Sequence, residues 1–496
     1  MSSVISQEEK SSYRSIFKAT SLFGGVQLWK ILIEIARQKI IALLLGPTGM
    51  GILGLYDSAL SFIQGLTSMG LSTSAVKNVA EANAMGNRAK MSKTIIALKR
   101  LVWVTGILGM VVFAALSPLL SKMSFGNYDY TIPFAILSVT LLLRQLSGGQ
   151  LVILQGLRKL KDLAKSGVYG AFWGLIASIP FYYLLRIDGI VPSLIIYAVV
   201  TLFFTWWYTR KIEIDQTHQT TKETLLEGKE MLIMGIVMSI DSMLVNGIGY
   251  TIRAFVSQMS GAADVGFFTA GFSMVNGYVG MIFTAMATDF YPRLASVNKD
   301  NKQCREIINQ QIEVAVIILI PLIVLFIMSA PLMIRILFSE EFLCIVWYMR
   351  IAMTGILFKA ISWAISYQFI AKQDMKSFLV CEVAGNAITL VSSILGYQLY
   401  GLNGLGVAFV VSYVFFTALV FYVSYHNYQF SFSSGFFKLI SKGLIFVLLT
   451  FAVFMMSNPW IVYPIASVIL ILSGIMAYNE FNKRMELTAL LKKFRK

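Results

Sequence analysis

Apolar stretches of about twenty residues recur along the whole chain, and they constrain its fold more than any other feature. A helix of roughly 20 apolar residues crosses the hydrocarbon core of a bilayer. Hydrophobic residues form 57% of the 496-residue sequence and charged residues 13%, against roughly 45–50% and about 25% in soluble domains. These values exclude disordered, collagen-like and disulfide-scaffold folds. We therefore predict an all-α integral membrane protein.

Fourteen of these stretches are predicted to cross the membrane. They are residues 16–45, 50–76, 99–120, 131–155, 167–185, 190–209, 231–257, 263–290, 311–337, 343–370, 378–400, 404–424, 441–457 and 460–478. The last two are short and meet at a turn containing Asn458-Pro459-Trp460. If they form an interfacial hairpin instead, the number of spans is twelve, and this alternative stays open.

The positions of the basic residues predict the orientation of the spans. With the N-terminus in the cytoplasm, 31 of the 41 Lys and Arg fall on the cytoplasmic side and 3 in outer connections. This asymmetry follows the positive-inside rule, so both termini are expected in the cytoplasm. It also explains the net charge of +16 without nucleic-acid binding. The outer connections are all short, so no sizeable external domain is predicted.

The sequence repeats itself weakly at an offset of 215 in residue number. Residues 46–51 (GPTGMG) precede the second span and residues 261–266 (GAADVG) precede the eighth. A second echo pairs residues 155–166 (QGLRKLKDLAKS) with residues 368–377 (QFIAKQDMKS). Parallel repeats of this kind are a transporter design, with the substrate bound between the two halves.

The repeat predicts two pseudo-symmetric six-helix bundles in the same orientation. The predicted domains are an N-terminal bundle (1–208), a cytoplasmic linker (209–230), a C-terminal bundle (231–424), and a further helix pair with a basic cytoplasmic tail (425–496).

One segment resembles a known family of membrane proteins. LLLGPTGMGILGLYDSALSFIQGLTSMGLSTSAVKNVAEA is similar to the second-helix signature of Wzx-type polysaccharide flippases. These belong to the multidrug/oligosaccharidyl-lipid/polysaccharide exporter superfamily. Gln155-Gly156 before a basic loop and Tyr291-Pro292-Arg293-Leu294 after span eight support the resemblance, which covers roughly residues 15–425.

The resemblance implies a flippase rather than an enzyme. Its substrate would be an undecaprenyl-pyrophosphate-linked oligosaccharide repeat unit of an O-antigen, capsule or other polysaccharide. Alternating access would carry the unit from the cytoplasmic to the outer leaflet of a bacterial inner membrane. Membrane lipids and polysaccharide polymerase machinery would be its partners.

Seven basic residues lie inside predicted spans and more than three residues from either end: Lys30, Arg37, Lys39, Arg144, Arg253, Arg350 and Lys359. Each costs about 2.5–3.5 kcal/mol in mid-bilayer on insertion scales, so these residues must pair, snorkel or face water. Lys30, Glu34 and Arg37 share one helix face, where Glu34 can pair with either cation. Snorkelling to the outer surface stays open as an alternative for Arg37 and Lys39.

Arg37 and Arg253 are predicted to be repeat equivalents. Arg37 lies 9 residues before Gly46 and Arg253 lies 8 before Gly261, so the correspondence requires one gap. Two guanidinium groups facing one cavity would suit a diphosphate, which they can bind bidentately.

The complete predicted site is a cationic lumen. Its substrate-binding residues are Lys30, Arg37, Arg144, Arg253 and Lys359, and its pairing or coupling acids are Glu34, Asp57 and Asp241. Tyr250, Tyr278, Trp363 and Tyr367 are candidates to stack on sugar rings. The three cysteines and two histidines have no metal-binding spacing, so neither a metal nor a cofactor is predicted.

Three other functions are weighed against this one. A multidrug extruder of the same superfamily would favour an acidic lumen, whereas the basic residues outnumber the embedded acids here. A lipid II flippase is compatible with the same cationic cleft. A membrane enzyme such as a polymerase needs a catalytic constellation, and neither paired carboxylates nor a nucleophile with its base is seen in the sequence.

Overall fold

The computed structural model describes residues 7–85, 87–215, 220–456 and 458–485, with side chains from Trp29 onward except at positions 222, 225, 230, 234, 237, 238, 278, 288, 484 and 485. These residues form helices and their connections, so the all-α prediction is confirmed. The helices are α1 (Gln7–Thr67), α2 (Leu71–Ala84), α3 (Arg88–Phe125), α4 (Thr131–Gly156), α5 (Leu160–Leu185), α6 (Ile190–Thr209), α7 (Thr221–Ser260), α8 (Ala262–Phe272), α9 (Val279–Ser296), α10 (Asn301–Leu337), α11 (Val346–Thr354), α12 (Ile356–Ala371), α13 (Met375–Tyr428), α14 (Ser434–Val453) and α15 (Pro459–Met485).

Three short turns of other helix types complete the chain of elements. Two 3-10 turns cover Arg186–Gly189 and Glu340–Ile345, and a π-helical turn covers Ser273–Tyr278 between α8 and α9. Residues 216–219 of the predicted linker and 486–496 of the predicted basic tail lie outside the described residues.

Polar caps fix where several helices begin. The side chains of Asn87, Thr220, Asp300, Asp374 and Ser433 each accept a backbone N–H from the first turn of the following helix. Such a bond satisfies one of the donors that a helix N-terminus leaves unpaired. The capping residues therefore set the boundaries between connections and helices.

Within the described ranges, nine helices are long and apolar enough to cross a membrane, or ten if the bent pair Glu340–Thr354 and Ile356–Ala371 counts as one span. The chain is therefore a multi-pass membrane protein. Three of the nine contain 39, 50 and 54 residues, although one crossing needs only about 20. α7, which contains the predicted seventh span, is not among the nine. Fourteen spans stay a prediction.

The described contacts divide the chain into unit 1 (Met1–Gly266) and unit 2 (Phe267–Lys496). In unit 1, α7 packs against α1, α2 and α3. In unit 2, α10 packs against α12, α14 and α15. Each unit is described by itself.

The backbone repeats its unusual conformations at the predicted offset of 215. Gly46 (φ 64°, ψ −168°) corresponds to Gly261 (φ 87°, ψ 177°). Arg186 (φ 53°, ψ −125°) corresponds to Gly401 (φ 56°, ψ −139°). Positive φ occurs at only ten of the described residues, so matches at one offset support the repeat.

The turns at Arg158 and at Gln373 show that the second echo was aligned in the wrong register. Arg158 and Gln373 have positive φ, 53° and 59°, and are again separated by the offset of the repeat. The hydrogen bond from the Lys159 N–H to the Leu154 carbonyl recurs from the Asp374 N–H to that of Phe369, both at 2.9 Å. Pairing residue 155 with residue 368 was therefore wrong by two positions.

The two glycine-rich turns of the repeat contact each other within unit 1. A Cβ at Gly51 would lie 1.7 Å from the Ala262 carbonyl oxygen, and a Cβ at Gly266 would lie 1.9 Å from the Pro47 carbonyl oxygen. Gly51 corresponds to Gly266 and Pro47 to Ala262, so the contact is reciprocal. Glycine is required at both positions because the backbones approach so closely.

Candidate functional site

The carboxylate of Asp57 on α1 stands among three arginines of unit 1. Arg144 on α4 donates from Nη2 to Asp57 Oδ1 at 2.6 Å. Arg37 on α1 and Arg253 on α7 are close enough to the same carboxylate to interact with it electrostatically. These four residues and Glu34 are called the arginine cluster below.

The helix geometry explains why these residues meet. Arg37 lies about 13 Å before Gly46 along the helix axis, and Asp57 lies about 16 Å beyond it. Arg253 lies about 12 Å before Gly261. Since the two glycine-rich turns contact each other, the three residues lie at similar axial distances from the same place in unit 1.

The Arg37 guanidinium is held by an acid and an aromatic ring. Nη1 lies 3.5 Å from Glu34 Oε2, and the guanidinium carbon lies 4.7 Å from the centre of the Tyr197 ring. Nε is buried and has no hydrogen-bond partner among the described residues. The side chain is 15% exposed.

Arg253 folds back onto its own helix. Its Nη1 donates to the Gly249 carbonyl oxygen at 2.9 Å. A Cβ at Gly249 would lie 3.3 Å from that nitrogen, so glycine leaves room for the guanidinium.

The arginine cluster keeps a net positive charge, because three guanidinium groups face two carboxylates. Guanidinium groups bind phosphate oxygens bidentately and stay protonated at all physiological pH values. The arrangement can therefore hold a phosphate or diphosphate group in a half-buried position.

Two predicted residues do not join the cluster. The Lys30 amine lies against Gly167 of α5, where a Cβ would be 2.6 Å from Nζ, and no ion pair with Glu34 forms among the described side chains. Asp241 lies 12 residues before Arg253 on α7, about 18 Å along the axis, which is too far for a contact. Its Oδ1 is buried and has no hydrogen-bond partner in the described structure.

Lys359 lies in unit 2. Its Nζ donates to Asn276 Oδ1 at 2.6 Å. Asn276 belongs to the π-helical turn. The amine also lies 5.2 Å from the centre of the Tyr413 ring, a distance typical of cation–π contacts.

The structural register of the repeat pairs the basic residues of the two repeats differently from the sequence prediction. At the offset of 215, Arg144 matches Lys359, while Arg253 matches Gln38 rather than Arg37. The helices on both sides run without interruption from these residues to the glycine-rich turns, so the described chain has no place for the assumed gap. The Arg37–Arg253 correspondence was therefore wrong, although both guanidinium groups interact electrostatically with Asp57.

Tyr197 and Asn276 are the site residues that sequence reasoning missed. Neither belongs to a charged motif. The offset of 215 was already visible in the sequence, however, and it would have paired Arg144 with Lys359.

Comparisons with known proteins agree with the fold. A model of the family described as "Polysaccharide biosynthesis protein" matches residues 40–347. A Shigella flexneri protein named "Putative O-antigen transporter" is 24% identical over 322 residues, which cover 63% of this chain and 74% of that protein.

Solved transporter structures share the architecture. A lipid II flippase MurJ in an inward closed conformation superposes with a TM-score of 0.71 at 14% identity, covering 93% of this chain and 99% of that one. An inward-facing MATE multidrug transporter of the MOP superfamily has a TM-score of 0.67 at 15% identity, covering 81% and 94%.

The fold is therefore that of multi-pass membrane transporters, and the relatives are transporters and flippases rather than enzymes. The chain belongs to the polysaccharide biosynthesis protein family, whose model matches well over half of its length. The resemblance to Wzx-type flippases of the exporter superfamily is confirmed.

Proposed function

We propose that the chain moves undecaprenyl-pyrophosphate-linked oligosaccharide repeat units from the cytoplasmic to the outer leaflet of a bacterial inner membrane. The arginine cluster carries this proposal. Arg144 contacts Asp57 at 2.6 Å, and Arg37 and Arg253 interact with the same carboxylate. The name of the Shigella flexneri relative, "Putative O-antigen transporter", supports a polysaccharide substrate.

Asp57 serves in this proposal as the counter-ion that the substrate displaces. Without substrate, its carboxylate occupies Arg144. A pyrophosphate oxygen takes its place, since phosphate oxygens accept the same bidentate hydrogen bonds as a carboxylate. Asp57 stays close enough to regain Arg144 afterwards, which keeps the diphosphate from binding too tightly to leave.

The membrane arrangement follows from the charge distribution and the repeat. Both termini lie in the cytoplasm in this proposal, because the basic residues concentrate on that side. The prenyl tail stays in lipid while alternating access between the two repeats carries the head group outward. Polysaccharide polymerase machinery is the proposed recipient of the flipped units.

Export of surface polysaccharide tests the proposal. Arg144→Gln and Arg253→Gln, each replacing the wild-type gene, should lower export about tenfold, because a hydrogen bond to a charged group contributes about 1.5–3 kcal/mol. Arg335→Gln is the matched control, since Arg335 is 57% exposed and pairs with Glu340 at 3.6 Å. Wild-type export by both cluster variants, at normal protein levels, would remove the case for an anion site.

A lipid II flippase is the second candidate, and the near-complete superposition on the MurJ structure favours it. Expression of this chain in cells depleted of their own lipid II flippase separates the two. Growth rescue would support the alternative, and continued lysis would support the polysaccharide substrate. A multidrug extruder predicts dye efflux, which a net-positive cluster disfavours for cationic dyes.

A further inference from the structure

One face of α12 differs from the rest of that helix. Eleven of its 16 residues are buried. The other five are partly exposed: Phe358, Lys359, Trp363, Tyr367 and Ile370. Among them, the spacing of four places Lys359, Trp363 and Tyr367 in one stripe along the helix. A lysine and two polar-tipped aromatics are not the aliphatic residues that normally face acyl chains.

The two rings of this stripe belong to a larger aromatic layer in unit 2. Trp363 and Tyr367 have ring centres 5.2 Å apart. On α9, the Phe283 ring centre lies 5.3 Å from that of Trp363. The Phe290 ring centre lies 5.6 Å from that of Trp363 and 5.7 Å from that of Tyr367. The layer fixes the orientation of the two partly exposed rings, which then present a rigid surface.

Hydrogen-bond donors lie at one end of this surface. Lys359 Nζ lies 6.0 Å from the Phe283 ring centre and donates to Asn276 Oδ1. Asn276 Nδ2 is buried and has no partner among the described residues. An unsatisfied buried donor is costly unless a bound group accepts from it. Asn276 also lies in a π-helical turn, a feature frequent at functional sites.

The first repeat shows that the fold does not require these rings. At the offset of 215, Trp363 corresponds to Gly148 and Tyr367 to Val152. A Cβ at Gly148 would find no atom within 4 Å. The cation is kept, because Lys359 corresponds to Arg144. The residues matching the π-helical turn lie in the uninterrupted second arm of α1. The second repeat therefore has both the rings and the π-helical turn at places where the first repeat has neither.

We propose that Trp363 and Tyr367, with Lys359 and Asn276 at one end, form a saccharide-binding platform for the sugar part of the lipid-linked substrate. The proposal rests on the proposed function. A pyranose ring has an apolar face of C–H groups that packs on an aromatic ring, and its hydroxyl groups accept hydrogen bonds from the amine and the amide. The platform lies within unit 2 and would bind the sugar.

Native mass spectrometry of the purified full chain, with two lipid probes, tests the platform. One probe is undecaprenyl pyrophosphate, which has no sugar. The other is the lipid-linked oligosaccharide fraction extracted from a strain lacking this protein. Trp363→Leu and Tyr367→Leu should each weaken binding of the sugar-bearing probe roughly 2- to 10-fold, the range expected for one aromatic contact. Binding of undecaprenyl pyrophosphate should not change.

The controls separate a ring effect from a folding effect. Trp363→Phe keeps a ring and should retain most of the binding. Trp460→Leu and Tyr400→Leu remove rings that are 89% and 70% exposed elsewhere, and should leave both probes unaffected. Full binding of the sugar-bearing probe by Trp363→Leu and Tyr367→Leu overturns the platform and leaves the proposed function standing. Equal loss of both probes also contradicts a sugar-selective role. Failure of the wild-type chain to bind either probe contradicts both proposals.

Discussion

Replacing Gly51 or Gly266 by alanine perturbs the reciprocal contact between the two glycine-rich turns. The new Cβ atoms would lie 1.7 and 1.9 Å from backbone carbonyl oxygens, whereas ordinary contacts begin at 3.4 Å. The two turns would therefore have to move apart in each case. The neighbouring atoms are backbone, so no side-chain rotation can relieve the clash.

The expected change in the free energy of unfolding is opposite in sign to that of replacing an ordinary glycine in a helix by alanine. Alanine in a helix interior is more stable than glycine by roughly 0.5–1 kcal/mol. Overpacking typically costs about 1–3 kcal/mol, so Gly51→Ala and Gly266→Ala should each lower the free energy of unfolding by about 1–2 kcal/mol. Gly148→Ala is the matched control and should stabilise, because nothing lies within 4 Å of its Cβ.

Thermal unfolding of the detergent-solubilised chain, followed by fluorescence-detected size exclusion, measures these effects. Gly51→Ala and Gly266→Ala should lower the apparent Tm by similar amounts, because their contacts are reciprocal. Gly148→Ala should leave the Tm unchanged or raise it. The reasoning is refuted if both variants behave like Gly148→Ala, or if one of them alone destabilises the chain.

Three further predictions concern single side chains. Arg350 is 7% exposed, and its Nε donates at 3.2 Å to the Ile327 carbonyl oxygen. That carbonyl lacks its usual helical donor because residue 331 is a proline and has no backbone N–H. Arg350→Met should therefore lower the apparent Tm, and an unchanged Tm would show that this bond contributes nothing. The Gln303 backbone N–H lowers the pKa of Asp300 at the start of α10. Asp300 therefore stabilises the fold at pH values above its unfolded-state pKa of about 3.9, and that contribution is lost as pH falls through its lower folded-state pKa. The stability of Asp300→Asn should lack this acid-dependent component, and a pH profile of stability identical to that of the wild type would contradict it. Asp241, one of the predicted coupling acids, has a buried oxygen without a hydrogen bond in the described structure. If its carboxylate carries a coupling proton, Asp241→Asn should abolish the dependence of substrate flipping in vesicles on a pH gradient. Retained dependence would exclude Asp241 as the coupling group.

The fold class was predictable because composition and segment length decide it. The 57% hydrophobic content leaves a bilayer as the only adequate solvent for this chain. The repeat was also predictable, since Gly46 and Gly261 each begin a turn that only glycine adopts readily. The number of spans could not be fixed, because the longest helices continue through kinks such as Gly401.

The residue types of the site were predictable, but which acid pairs with which cation was less so. The sequence indicated that Arg37 and Arg253 share one site, because charges in the membrane need partners. It could not show that Asp57 would be the shared partner, since that requires knowing how α1, α4 and α7 pack. Lys30 and Glu34 lie at pairing distance along the helix, yet tertiary packing places the Lys30 amine over Gly167.

Matching by residue identity also gave the wrong register in places. The second echo was aligned on Gln155 and Gln368, whereas the structure repeats backbone geometry, with Arg158 matched to Gln373. Side-chain identity diverges faster than the turn conformation that a fold requires. The positive φ values were invisible in the sequence because neither residue is glycine.

Binding of undecaprenyl pyrophosphate to the purified chain is the most direct test of the arginine cluster. Arg144→Gln should weaken binding about tenfold or more, because one charge-assisted contact is lost. Asp57→Asn should strengthen binding, because the carboxylate that competes for Arg144 is removed. Unchanged affinity in Arg144→Gln together with unchanged or weaker affinity in Asp57→Asn would contradict an anion site at the arginine cluster.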